Sequence, residues 1–213
     1  GIQAATSLWN NHSRIHAFDR IVNRKMENSE IRLILLDFDG TLADTRRANT
    51  LAYVAALGEA GYTLTEEEYA AHYFGMRCNE FLTRLGIADP AERERIRLRK
   101  IALYPAFFDS VRLNVPLWEF CRQFRADGGR VWVVSTGSRD NIDNVIAHLG
   151  IGGGLDGILS GADVEHPKPA PDCFLEAMRR EGCTPRETLI FEDSPIGIEA
   201  ARRSGASYFV VKL

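Results

Sequence analysis

Lysine is scarce in this chain. Of 26 basic residues only Lys25, Lys100, Lys168 and Lys212 are lysines, the rest being arginine. Neither sign of charge is in excess, the formal net being −3, which gives no support to a nucleic-acid surface. Long apolar runs are missing too, and none approaches the ~20 residues that cross a bilayer. The opening stretch GIQAATSLWNNHSRIH lacks the apolar core of a secretory signal. Cysteine is thin, with Cys78, Cys121, Cys173 and Cys183 far apart and no C-x-x-C pair. That argues against a zinc or disulfide framework and for reduced, structural thiols. No nucleic-acid or membrane partner is expected, and the cytoplasm is the expected compartment.

What is present suits an ordinary globular protein: 213 residues, 45% hydrophobic and 26% charged, enough for a large domain plus a smaller one. Residues 1–30 read as an N-terminal extension in which Ile15, Phe18, Ile21 and Val22 share a weak helical face. IRLILLDF is a near-continuous apolar run, as in a strand buried on both faces of a parallel sheet. Strand patterns return at GRVWVVSTGS, DGILSG, TLIFED and SYFVV, with helical patterns between them. That alternation predicts a Rossmann-like α/β fold, a parallel sheet sandwiched by helices. A purely helical block interrupts it. The expected division is a catalytic core of 31–44 and 116–213, with a small all-helical cap domain inserted at 45–115. Within that block, ERERIRLRK reads as a solvated face because its charges alternate. Tyr73, Phe74, Phe107 and Phe108 read as cap core.

Ligands of an open parallel sheet collect outside the carboxyl ends of its strands. Three strands here end in polar groups: Asp37-Phe38-Asp39, Ser135-Thr136 and Glu192-Asp193-Ser194. Lys168 follows in the loop HPKPAPD. Clustered carboxylates repel and are costly to desolvate unless a cation compensates them. A hard, oxygen-only set of this kind suits Mg²⁺, and a phosphate can then sit against the metal, the lysine and a strand-end hydroxyl. The expected partner is a small-molecule phosphate ester.

DFDGTLADT, VVSTGS, HPKPAPD and FEDSPIGIEAARRSGA, in that order, resemble the four motifs of the haloacid dehalogenase superfamily. The likeness is to its helical-cap phosphatase branch, which includes phosphoglycolate phosphatases and β-phosphoglucomutases, and it runs from about residue 31 to the end. The resemblance implies Asp37 as nucleophile, forming an aspartyl-phosphate. Asp39 would be the general acid and base, its main-chain carbonyl helping to bind Mg²⁺. Asp193 would ligate the metal with Glu192 beside it, and Lys168 would neutralise the nucleophile and the phosphoryl group. Gly40 and Thr41 would form the phosphate-binding turn. Ser135 is the first choice for the phosphate-binding hydroxyl of the second motif, with Thr136 as the alternative.

Within that family, dehalogenases lack the second acid of the first motif, and phosphonatases replace it and use a cap lysine. Asp39 is present here and the cap block holds only Lys100, so neither chemistry fits. Mutases of the β-phosphoglucomutase type carry a histidine where this chain has Asn49, and a sugar-phosphate-binding arginine near Cys78, one position from Arg77. Both departures favour plain hydrolysis over phosphomutase activity. A non-catalytic binding protein on the same scaffold is the other alternative. Arg46, Arg47 and Arg77 are candidates for contacting the leaving group, which the resemblance places among sugar phosphates and phosphoglycolate. Monomer and homodimer both remain open.

Overall fold

The computed structural model describes residues 31–213. The expected helical extension over 1–30 lies outside the described residues. Five parallel strands form the central sheet: β1 (Leu33–Leu36), β4 (Arg130–Val134), β5 (Gly157–Leu159), β6 (Thr188–Glu192) and β7 (Ser207–Val210), in the order β5-β4-β1-β6-β7. Two short strands, β2 (Ala43–Asp44) and β3 (Arg112–Leu113), pair antiparallel as a separate ribbon. Among the described residues eight α-helices accompany them: α1 (Arg46–Glu59), α2 (Glu66–His72), α3 (Cys78–Arg84), α4 (Pro90–Leu103), α5 (Val115–Ala126), α6 (Arg139–Leu149), α7 (Asp172–Glu181) and α8 (Pro195–Ser204). None is long and apolar enough to cross a membrane.

β1 lies at the centre, and all four of its side chains are fully buried. Period-2 alternation sends them to opposite layers. Ile34 and Leu36 pack with Val131, Val133 and Phe191 against α5 and α6. Leu33 and Leu35 pack with Trp132, Val134 and Ile190 against α7 and α8. Each such side chain contributes about 1.5–3 kcal/mol on burial, so a polar substitution in β1 strikes the sheet at its middle.

The register then fixes the rim. Leu36 is abreast of Val133 on one side and Phe191 on the other. The next residue, Asp37, therefore leaves the sheet beside Val134 and Glu192, and its N–H still donates to the Phe191 carbonyl at 3.0 Å.

The helices α1–α4 share a third cluster around Leu57, Leu64, Tyr69, Phe81, Leu82 and Ile96. Asp89 caps α4 through the Ala91 N–H, and Pro90 occupies its first turn, where a missing N–H costs nothing. Past Leu103 the chain tightens into a 3₁₀ helix, Tyr104–Ser110, with Pro105 in its first turn. This changes the expected place of two aromatics. Phe108 packs into the cluster of the sheet, together with Tyr104, Ala48 and Ala52, and Phe107 lies against it; neither belongs to the third cluster. Phe74 is 40% exposed, and only Tyr73 packs where all four were expected. The run ERERIRLRK is solvated at Glu94, Arg95 and Arg99, but Ile96 and Lys100, one turn apart, both face inward.

Candidate active site

Asp37, Glu192 and Asp193 offer carboxylate oxygens that all lie within 4.8 Å of one another. Lys168 reaches the same place from the loop before α7. Its ammonium donates to Asp37 Oδ1 at 2.8 Å and to Glu192 Oε2 at 2.7 Å, with the Val134 carbonyl at 3.3 Å. Thr41 Oγ1 donates to Asp193 Oδ1 at 2.9 Å and lies 3.3 Å from Asp37 Oδ2. Five of the residues singled out in the sequence thus converge on one rim.

The electrostatics of this cluster call for a cation. Burial pushes the Asp37 carboxyl up to about 6, against the pull of Lys168 and with Asp193 adding to the rise. Burial also raises Glu192 and Asp193. For Lys168, burial works against the ammonium, yet the charges of Asp37 and Glu192 hold it above the ordinary lysine value. One lysine among three acids leaves negative charge unmatched. Hard carboxylate oxygens at this spacing fit Mg²⁺, which takes few protein ligands and keeps waters.

Glu192 is less available than its neighbours. Its Oε1 accepts from the Asp193 and Ser194 N–H groups at 2.9 and 3.1 Å and from Ser194 Oγ at 3.2 Å, while Oε2 holds Lys168. Gly197 makes room for it, since a Cβ there would sit 2.0 Å from that carboxylate. Gly40 has φ +84°, and a Cβ on it would meet Asp193 Oδ2 at 2.4 Å. Gly197 is required by close approach alone, Gly40 by close approach and by its left-handed φ.

Asp39 stands apart from the carboxylate cluster, its Oδ1 accepting from Thr45 Oγ1. It lines a cleft of about 850 Å³ between the rim and the helices α1–α4, as do Asp37, Ser135, Thr136, Lys168 and Arg77. Ser135 is buried at the end of β4, with its Oγ accepting from the Gly137 N–H at 3.0 Å; Thr136 is exposed to the cleft. Arg46 lines a neighbouring groove instead, its guanidinium 4.9 Å from the centre of the Phe74 ring.

Lys100 is the residue that sequence reasoning passed over. It is 2% exposed and lines the cleft from the helical side. Its ammonium donates to Asn49 Oδ1 at 2.6 Å and lies over the rings of Tyr104 and Tyr53 at 4.1 and 4.9 Å. Asn49 Nδ2 in turn donates to the Tyr104 hydroxyl at 3.1 Å. Burial lowers the Lys100 pKa to about 8, opposed by the charge of Asp39. The one signal in the sequence was its i,i+4 spacing from Ile96, which puts both on one helix face.

A model of the haloacid dehalogenase-like hydrolase family matches residues 34–211. The chain is 31% identical to the fructose-1-phosphate phosphatase YqaB of Escherichia coli strain K12, over 84% of this chain and 96% of the relative. It is 27% identical to the phosphoglycolate phosphatase of Aquifex aeolicus, over 82% of each. The crystal structure of CbbY from Rhodobacter sphaeroides in complex with phosphate superimposes with a TM-score of 0.78 at 25% identity, covering 86% of this chain and 87% of that one.

Proposed function

Since this chain belongs to the haloacid dehalogenase-like hydrolase family, we propose that it is a Mg²⁺-dependent phosphatase that cleaves a small phosphorylated metabolite through an aspartyl-phosphate. The observation that carries this reading is the meeting of Asp37, Asp193 and Lys168 at the floor of a cleft that also holds Asp39.

Lys168 holds Asp37 Oδ1, which fixes the carboxylate and leaves Oδ2, beside the Thr41 hydroxyl, as the oxygen that attacks phosphorus. As the phosphorus–oxygen bond to Asp37 forms, the bond to the leaving alcohol breaks and Asp39 supplies the proton that the alkoxide needs. Asp39 then takes a proton from water, whose oxygen attacks phosphorus and releases Asp37 and inorganic phosphate. Asp37, Asp193 and the Asp39 main-chain carbonyl would hold Mg²⁺, with Glu192 keeping Lys168 in place. The bound metal would supply charge neutralisation and polarise the phosphoryl oxygens. Ser135, or its neighbour Thr136, together with the Gly40–Thr41 turn, would receive the remaining phosphoryl oxygens.

The helical block 45–115 acts as a cap over this floor. Lys100 and Arg77 give its inner wall positive charge, and the cleft of about 850 Å³ suits a substrate of sugar-phosphate or phosphoglycolate type. The relatives named for fructose 1-phosphate and phosphoglycolate support that class. The expected site of action is the cytoplasm.

Phosphate release from fructose 1-phosphate, phosphoglycolate, glycerol phosphate and nucleoside monophosphates, each with Mg²⁺ and with excess chelator, tests the proposal. Metal-dependent release from at least one small ester is expected. Release from none, or release indifferent to the metal, overturns it.

A further inference from the structure

Two cavities adjoin at the acidic rim. The cleft described above and an outer groove of about 690 Å³ both touch Asp193. Their walls alternate along the helical block. Tyr69 and Phe74 face the cleft, whereas Ala70 and Arg46 face the groove. Between them stands the stack of Arg46 on Phe74, 4.9 Å from guanidinium carbon to ring centre. Phe74 also meets Tyr69 edge-on at 6.3 Å. Among the described residues no hydrogen bond or ion pair engages the Arg46 side chain; its backbone N–H alone reaches Asp44 Oδ1 at 3.2 Å. Phe74 is 40% exposed, and its ring is held by contacts with Arg46 and Tyr69. The pair joins the two walls, Phe74 lining the cleft and Arg46 lining the groove.

We infer that Arg46 and Phe74 form a specificity-determining partition that limits the length of the leaving group. The inference rests on the phosphatase reading above. An ester whose phosphate sits against Asp37 has two directions for its remaining atoms: into the cleft toward Lys100 and Arg77, or outward into the groove toward Arg47 and Lys212. The Arg46–Phe74 stack bars the second direction. A leaving group that turns into the cleft is unaffected by the stack, while an extended one that turns outward, as that of a nucleoside monophosphate can, would have to pass the partition. A guanidinium over an exposed ring biases an equilibrium only about two- to fivefold. Phe74 is therefore the main obstacle, and Arg46 holds it in position.

The experiment compares kcat/KM for glycerol phosphate, a hexose phosphate and a nucleoside monophosphate in the Mg²⁺-loaded wild type, Phe74→Ala, Phe74→Leu, Arg46→Ala and Arg46→Lys. The ratio of nucleoside monophosphate to glycerol phosphate is expected to rise about tenfold in Phe74→Ala, the scale at which pocket shape discriminates. It should rise about two- to fivefold in Arg46→Ala and stay near wild type in Arg46→Lys, which keeps the cation. An unchanged or lower ratio in Phe74→Ala, with an unaltered melting temperature, overturns the partition. If Phe74→Ala fails to fold, Phe74→Leu decides by the same ratio. A second readout needs no turnover. Cys78 lines the cleft and is the one cysteine of the four that is not buried, so its labelling by a bulky maleimide relative to iodoacetamide reports access. That relative rate should rise in Phe74→Ala, and an unchanged rate counts against the partition. If the wild type cleaves none of the esters, the phosphatase reading falls, and the labelling rates alone decide whether the partition exists.

Discussion

Two lysines face each other across the cleft, buried to nearly the same degree, Lys168 at 6% exposure and Lys100 at 2%. Their surroundings drive them in opposite directions. Lys168 touches two carboxylates and is held above the ordinary lysine value. Lys100 touches an amide oxygen and two aromatic rings, makes no ion pair within 4.0 Å among the described residues, and falls to about 8. Burial of a charge costs free energy at both places, and only at the sheet rim is the cost offset within the protein. The rim is a nearly complete electrostatic unit, lacking only a cation, whereas the helical wall carries a cation that is unmatched until an anion enters.

Removing a rim carboxylate tests that contrast most severely. Asp37→Asn should lower turnover about 10⁴-fold or more, as loss of a covalent nucleophile does. The same change should stabilise the metal-free protein. A carboxyl near 6 when folded and near 3.8 when unfolded keeps its proton longer in the fold. Metal-free stability from this group is therefore present below about 4, is lost as pH rises through about 6, and is missing at pH 7. Asparagine is permanently neutral and restores about 1–3 kcal/mol there. Thermal unfolding in chelator at pH 7, alongside turnover, checks both halves. Wild-type-like turnover would remove Asp37 from its assigned role, and a less stable variant would show that its charge is already matched without metal.

A smaller effect is expected from Gly40→Ala, which leaves every charge in place and moves only one. The added methyl would sit 2.4 Å from Asp193 Oδ2 at a φ of +84°, so Asp193 must shift. Backbone strain should cost about 1–2 kcal/mol. The displaced carboxylate should weaken Mg²⁺ binding about 10- to 100-fold, the scale of a disturbed ligand shell, as read by calorimetric titration. Undiminished Mg²⁺ affinity would place the metal away from Asp193.

The same contrast decides what could be read in advance. Rim residues lie at strand ends, where an apolar run stops at an acid in β1 and β6 and at Ser135 in β4, and parallel register carries these three ends to one line. Both the α/β architecture and the gathering of Asp37, Asp193, Glu192 and Lys168 were legible for that reason. The helical wall has no such marker. Lys100 closes a run of alternating charge that looks solvated, and only the burial of Ile96 one turn earlier betrays the face it shares. Phe108 was misplaced because Pro105 tightens the chain into a 3₁₀ helix and returns the ring to the sheet's core. Gly197 was invisible, since its need is set by a Glu192 carboxylate that only the fold brings beside it.

The mildest change sharpens the comparison from the helical side. Lys100→Met keeps an unbranched side chain of similar length and deletes the charge. A lysine lowered to about 8 from 10.5 is disfavoured as an ammonium in the folded state. At pH 7 both states are protonated, so the penalty is fully present. As pH rises from about 8 to 10.5 the folded protein sheds the proton first, and stability recovers. The gross penalty is about 3 kcal/mol, from which roughly 1 kcal/mol is subtracted because Asn49 Oδ1 loses its donor. Lys100→Met should therefore be about 1–2 kcal/mol more stable than wild type at pH 7, with the gap closing toward pH 10. Urea unfolding of both proteins at pH 7 and pH 9.5 measures that difference and cancels the titrations they share. A variant less stable at pH 7, with no change in the gap between the two pH values, would mean that Asp39 already balances Lys100 across the cleft. The two lysines would then differ only in distance to their counter-charges, and the wall would have no unmatched cation to offer a substrate.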